Sequence, residues 1–215
     1  MKNHTLSRKI APLSAIKIIS TESEPDFQNL WTLGRQIGTD WFDEHQRQQP
    51  TFLCAVDATR LYFLAGDKNH PKYHPEGKPG SFQPELWKYD VAEFFLASPD
   101  GSSYLEFNLS PNGAWWSARF AGAKPRIPLD LPPLAGVETA GEITEEGWQV
   151  RASIPLSELG PLEGSLLNVT FILGSPDQRF FTSAPLGATE PDFHCPSHFL
   201  PMSLPSRGDA RQTQS

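Results

Sequence analysis

Cysteine is nearly absent from this chain. Only Cys54 and Cys195 occur in 215 residues, so a disulfide framework is excluded and one bridge is the most the sequence allows. Cys54 lies in the apolar run Thr51-Phe52-Leu53-Cys54-Ala55-Val56, where a free thiol packs as a small core hydrophobe. Long hydrophobic runs are missing too. No window of about 18 apolar residues exists, and Lys9, Pro12 and Lys17 break up the N-terminal segment. Neither a membrane-spanning helix nor a signal peptide is expected, and the sequence reads as cytoplasmic. There is no basic block, and the net charge is −7. An acidic surface repels phosphate, which argues against nucleic acid and against anionic membranes as partners.

Several catalytic signatures are also lacking. No Gly-x-Ser-x-Gly elbow and no Gly-x-Gly-x-x-Gly occurs, and Gly77-Lys78-Pro79-Gly80-Ser81 has its lysine misplaced for a phosphate loop. His194-Cys195-Pro196-Ser197-His198, with His70 and His74 elsewhere, offers zinc-type ligands. Pro196, however, forbids a helix that would align the two histidines. Heme would need opposed axial ligands such as Met and His, and Met202 is the only internal methionine. No cofactor is expected, with structural calcium at loop carboxylates left open.

What the chain does have is aromatic residues and proline: 14 Phe, 6 Trp, 4 Tyr and 21 Pro. That mixture favours many short strands joined by ordered loops. Period-two alternation marks strands at residues 15–20, 51–56, 60–66, 89–97, 104–109, 114–120, 137–143, 148–154, 167–173, 179–183 and 199–204. Ser98-Pro99-Asp100-Gly101, Ser110-Pro111-Asn112-Gly113 and Thr144-Glu145-Glu146-Gly147 read as hairpin turns. Short helical turns are expected within 25–34 and at 156–159. The expectation is an all-β, antiparallel two-sheet sandwich, jelly-roll-like, of about ten strands and little helix. It would span residues 13–204, between a flexible N-terminus (1–12) and a disordered tail (205–215). The long loops 69–86 and 122–136 are rich in proline, and loops of this length are usually functional.

The segment from Leu86 to Leu96 carries the strongest functional signal. Read as one strand, it sets Trp87, Tyr89, Val91, Glu93 and Phe95 on one face. In the strand after it, Leu105, Phe107 and Leu109 look like core, while Tyr104, Glu106 and Asn108 join the face of Glu93. An indole beside a carboxylate on a wet face suits a sugar: the ring stacks on C–H groups and the carboxylate accepts from hydroxyls. The same residues also fit a structural role, with Trp87 an edge or core aromatic and Glu93 paired to Arg119, Arg151 or Arg179. Asp67, Glu93 and Glu106 could form an acid–base pair, but their spacing does not require one.

Arg60-Leu61-Tyr62-Phe63-Leu64-Ala65-Gly66-Asp67, the stretch from Leu86-Trp87 to Glu93-Phe94-Phe95-Leu96, and Tyr104-Leu105-Glu106-Phe107 resemble the family-nine carbohydrate-binding modules and the wider DOMON-like group. Gly147-Trp148-Gln149-Val150-Arg151-Ala152-Ser153-Ile154-Pro155 is similar to that family's penultimate hairpin strand. Asp192-Phe193-His194-Cys195-Pro196-Ser197-His198-Phe199 is similar to its closing segment. The resemblance implies an antiparallel β-sandwich that binds a small saccharide and is not an enzyme. It places Trp87 and Phe193 as the clasping rings, Glu93, Asp67 and Asn108 as hydrogen-bonding groups, and Arg151 as a substitute for an arginine contact whose position Asn108 occupies. The alternatives it leaves are an interaction module with no sugar, which would have a protein partner, and a heme-binding DOMON-like domain.

Overall fold

The computed structural model describes residues 13–38, 40–42, 50–122, 127–186 and 189–205. The expected flexible N-terminus and, apart from Pro205, the expected tail lie outside these residues. Thirteen strands among the described residues form one strongly curled sheet. In chain order they are β1 (Ile16–Ser20), β2 (Arg35–Gln36), β3 (Thr51–Val56), β4 (Arg60–Asp67), β5 (Val91–Ala97), β6 (Ser103–Leu109), β7 (Trp115–Ala121), β8 (Ile127–Pro128), β9 (Glu138–Thr144), β10 (Gly147–Pro155), β11 (Leu166–Leu173), β12 (Arg179–Thr182) and β13 (Leu200–Ser203). Helix α1 (Phe27–Leu33) is closed at its start by a capping box between Asp26 and Asn29. A single helical turn, α2 (Leu156–Leu159), follows β10. No helix among the described residues is long and apolar enough to cross a membrane.

The strand order is β8-β7-β6-β5-β11-β13-β1-β3-β4-β10-β9, with β12 on β11 and β2 on β3. This corrects the expected architecture in two respects. The layers are two halves of one continuous sheet, joined where β13 meets β1. The sheet is also mixed, because β1 runs parallel to both β13 and β3.

Sequence turns set the antiparallel parts. Asp57 Oδ1 accepts from the backbone N–H groups of Thr59 (2.7 Å) and Arg60 (2.7 Å), which reverses the chain between β3 and β4. Asp100 Oδ1 accepts from the hydroxyls of Ser98 and Ser102, and Gly101 adopts a left-handed φ of 68° in the β5–β6 turn. The two halves close on each other through apolar faces. Phe63 of β4 meets Phe94 of β5 edge-on at 5.3 Å, and Phe94 stacks on Phe107 of β6 at 5.1 Å. Trp148 of β10 packs against Phe171 of β11. A smaller cluster of Leu30, Leu53, Ala55, Tyr62 and Leu64 fills the outer side of β3 and β4 beneath α1. Cys54 is a buried free thiol within the main core, and burial pushes it up to about 12.

Candidate functional site

Because Phe94 faces the core, its neighbours on β5, Glu93 and Phe95, face the other way. Register places Asn108 of β6 and Thr170 of β11 directly opposite Glu93. One step along, Glu106 and Asn168 stand opposite Phe95. The outer face of this half-sheet therefore carries a row of polar side chains crossed by one ring. Sequence parity foresaw Glu93, Glu106 and Asn108 together. It did not foresee Thr170 and Asn168, which lie in the segment expected only as the strand 167–173.

The expectation of a wet face is corrected by burial. Glu93 is 2% exposed and Asn108 1%, and a second layer lies on this face. Trp41, Phe193, His194 and Phe199 lie over Phe95 and its surroundings. Phe95 has Phe193, His194 and Phe199 within 6.2 Å, and Trp41 packs on Phe193 at 5.7 Å. His194 Nδ1 sits 2.9 Å from the Tyr104 hydroxyl, and its Nε2 lies 3.7 Å from Glu106 Oε2. Thr170 donates its hydroxyl to Glu93 Oε2 at 2.9 Å. Burial, reinforced by the nearby charge of Glu106, pushes the Glu93 carboxyl up to about 8. Asn168 Oδ1 accepts from Thr182, Ser183 and the Ala184 N–H. Asn108 is different: among the described residues neither atom of its amide has a hydrogen-bond partner. A buried amide left unpaired costs about 1–3 kcal/mol, so such groups are rare in a settled interior.

Trp87 does not lie on a strand. Leu86–Lys88 form a 3-10 turn entered through Glu85 at a φ of 64°, and β5 begins only at Val91. The alternation of apolar and polar residues continued through a segment that is pinned otherwise. The Asp90 carboxylate accepts from the N–H groups of Lys72 and Ser175, each at 3.0 Å, and the Asp90 N–H donates to the Lys72 carbonyl. Trp87 is 51% exposed. Its carbonyl accepts from Gln178 at 2.9 Å, which places it at the rim where β12 begins. The ring neighbours of Phe193 are Trp41, Phe95 and Phe180. Trp87 is not among them, so the expected pair of facing rings is not assembled here.

Two further expected residues stand elsewhere. Asp67 ends β4 on the side of Leu61, Phe63 and Ala65, inside the fold. It is 2% exposed, and its Oδ2 accepts both the backbone and side-chain N–H groups of Asn69. Burial, with a smaller contribution from the charge of Asp90, raises its carboxyl above the ordinary range. Arg151 faces outward from β10 on the far half-sheet. There it pairs with Glu24 at 2.6 Å, donates to the Pro25 carbonyl at 2.7 Å and lies over the Phe27 ring. It anchors the segment before α1 and does not reach Glu93. The structure thus gathers Glu93, Asn108 and Phe193, sets Trp87 at their edge, and separates Asp67 and Arg151 from them. Among the described residues no group of three His, Cys, Asp or Glu side chains comes together to hold a metal.

No family model matches the chain. Among solved structures, a protein from Bacteroides uniformis whose proposed role is carbohydrate binding superposes with a TM-score of 0.65 at 18% identity, covering 90% of this chain and 99% of the other. A family-nine carbohydrate-binding module from Caldicellulosiruptor kristjanssonii, bound to glucose, superposes with a TM-score of 0.60 at 16% identity, covering 90% and 97%. Its complex with cellotriose gives 0.60 at 15% identity, covering 93% and 98%. At such identities the likeness shows a shared fold. Sequence relatives are closer. The human UPF0462 protein C4orf33 is 32% identical over 132 residues, which are 58% of this chain and 64% of the relative. The mouse UPF0462 protein C4orf33 homolog is 32% identical over 137 residues, 60% of this chain and 69% of the relative. The chain belongs to the UPF0462 family, built on the fold of a carbohydrate-binding module.

Proposed function

We propose that this protein binds a small saccharide on the Glu93 face and leaves it chemically unchanged. The unpartnered amide of Asn108, buried beside Glu93, carries this reading. An amide offers one acceptor and two donors, which is what adjacent sugar hydroxyls exchange. The exposed indole of Trp87 at the rim supplies a stacking surface. The fold shared with modules that hold glucose and cellotriose supports the same reading.

One observation favours a second reading. Phe193 is 7% exposed and packed among the protein's own rings, so the clasp expected opposite Trp87 is filled from within. A face closed in this way suits an interaction module that takes no sugar. Calorimetric titration of the whole chain with glucose and cellotriose separates the two. Saccharide binding predicts measurable heat that weakens roughly tenfold or more in Trp87→Ala, with Tm unchanged because the ring is exposed. Absence of binding to the wild type, across these sugars and a glycan array, leaves the interaction module.

A further inference from the structure

The other half-sheet carries a groove on its own outer face, with the hydrophobic core between it and Glu93. Its floor is β10, and α1 and the β9–β10 hairpin form its walls. Gln28, Trp31, Asp67, Lys68, Glu142, Glu146 and Gln149 are among the residues that line it. The volume is roughly 350 Å³, within the range of small-molecule sites.

Trp31 is the organising residue. It is 37% exposed on α1, yet its ring is fixed at two points. The indole Nε1 donates to Gln149 Oε1 at 2.7 Å, and Gln149 Nε2 in turn donates to Glu142 Oε2 at 2.7 Å. This chain ties the ring to neighbouring positions on β10 and β9. On the β4 side the ring settles against Gly66, where a Cβ would stand 3.0 Å from two indole carbons and closer still to the Trp148 carbonyl. Glycine is therefore required for the approach. Lys68 Nζ lies 5.8 Å from the ring centroid.

The chemistry around this ring is mixed. Lys68 and Gln28 supply donors, and Glu142, Glu146 and Gln149 supply acceptors. Glu142, Glu146 and the carboxyl of Asp67 disfavour an anion, and Lys68 disfavours a cation. A wholly apolar ligand would meet too much polar surface. A neutral polyhydroxylated ring satisfies all of these groups, with C–H edges on the indole and hydroxyls on the flanks. We infer that the Trp31 groove is a second saccharide-binding site, facing away from the Glu93 face. Two sites on opposite faces would join separate glycan chains rather than follow one. The inference does not depend on the first site.

The test uses the whole chain on a glycan array, followed by calorimetric titration with the saccharides that bind best and with cellotriose. Trp87→Ala is the background in which only the Trp31 groove is read. That variant retains saccharide binding, and adding Trp31→Ala weakens it roughly tenfold or more. Trp31→Phe keeps a ring against Gly66 but loses the bond to Gln149. It shows an intermediate affinity at an unchanged Tm, which separates loss of binding from loss of fold. If Trp87→Ala binds no saccharide, or if its binding is indifferent to Trp31→Ala, the second site is overturned. Binding abolished by Trp87→Ala alone would refute this inference while supporting the Glu93 face.

Discussion

Replacing Glu93 with glutamine changes one proton-binding group and almost nothing of its shape. The amide oxygen still accepts from the Thr170 hydroxyl that donates to Glu93. In the fold this carboxyl titrates at about 8, against an ordinary value of 4.5, through burial and then the charge of Glu106. The unfolded chain therefore gives up its proton first. Between these two values the folded state holds more protons than the unfolded state, and linkage makes stability fall as pH rises across that window. Each pH unit is worth about 1.4 kcal/mol, so the whole window amounts to on the order of 5 kcal/mol. Urea unfolding of wild type and Glu93→Gln at pH 5, 7 and 9 measures this. At pH 5 the two proteins unfold at nearly the same urea concentration. The variant's advantage grows with pH, reaching several kcal/mol at pH 9. A difference that stays constant from pH 5 to 9, or a wild type that is the more stable at pH 9, would refute the assignment of a buried, strained carboxyl.

Two further substitutions test the interior. Asn108→Leu removes the unpartnered amide at similar volume, so unfolding experiments should show a gain of about 1–3 kcal/mol, while calorimetry shows loss of saccharide binding at the Glu93 face; a loss of stability would mean that the amide is satisfied in solution. Gly147→Ala should destabilise by about 2 kcal/mol or more, since Gly147 has a φ of 136° and an added Cβ would collide with the Asp67 carbonyl; a thermal melt unchanged from wild type would contradict the tight packing of β10 on β4.

Much of the sheet was legible because its turns are local chemistry. Asp57, Asp100 and the glycines after Pro-Asp and Pro-Asn mark reversals that a short window of sequence contains. The parallel placement of β1 between β13 and β3 was not legible, because parallel pairing joins remote segments and leaves no turn to read. The short turn at Leu86–Lys88 escaped for a different reason: the side-chain pattern continued, while distant backbone donors on Lys72 and Ser175 fixed Asp90. At the candidate site, strand parity correctly put Glu93 and Asn108 together. It carried no information about depth. The cover on this face includes Phe193, His194 and Phe199 against Phe95, with Trp41 against Phe193, from segments far away in sequence. Asp67 and Arg151 were grouped with Glu93 by resemblance, and it is the curl of the sheet that sends one inward and the other to the opposite exterior.

The seam at β1 and β13 has a consequence for synthesis on the ribosome. Ile16–Ser20 is made before every other described strand, yet one of its two neighbours, Leu200–Ser203, is made after all of them. Until then the Ile16–Lys17 end of β1 and the Leu166–Leu167 end of β11 lack the strand that answers their amide and carbonyl groups, the kind of edge that recruits strands from other molecules. Part of the seam in a nascent chain thus stays open from the synthesis of β1 until that of β13, and shielding by chaperones matters most in the interval before those four residues of sheet appear.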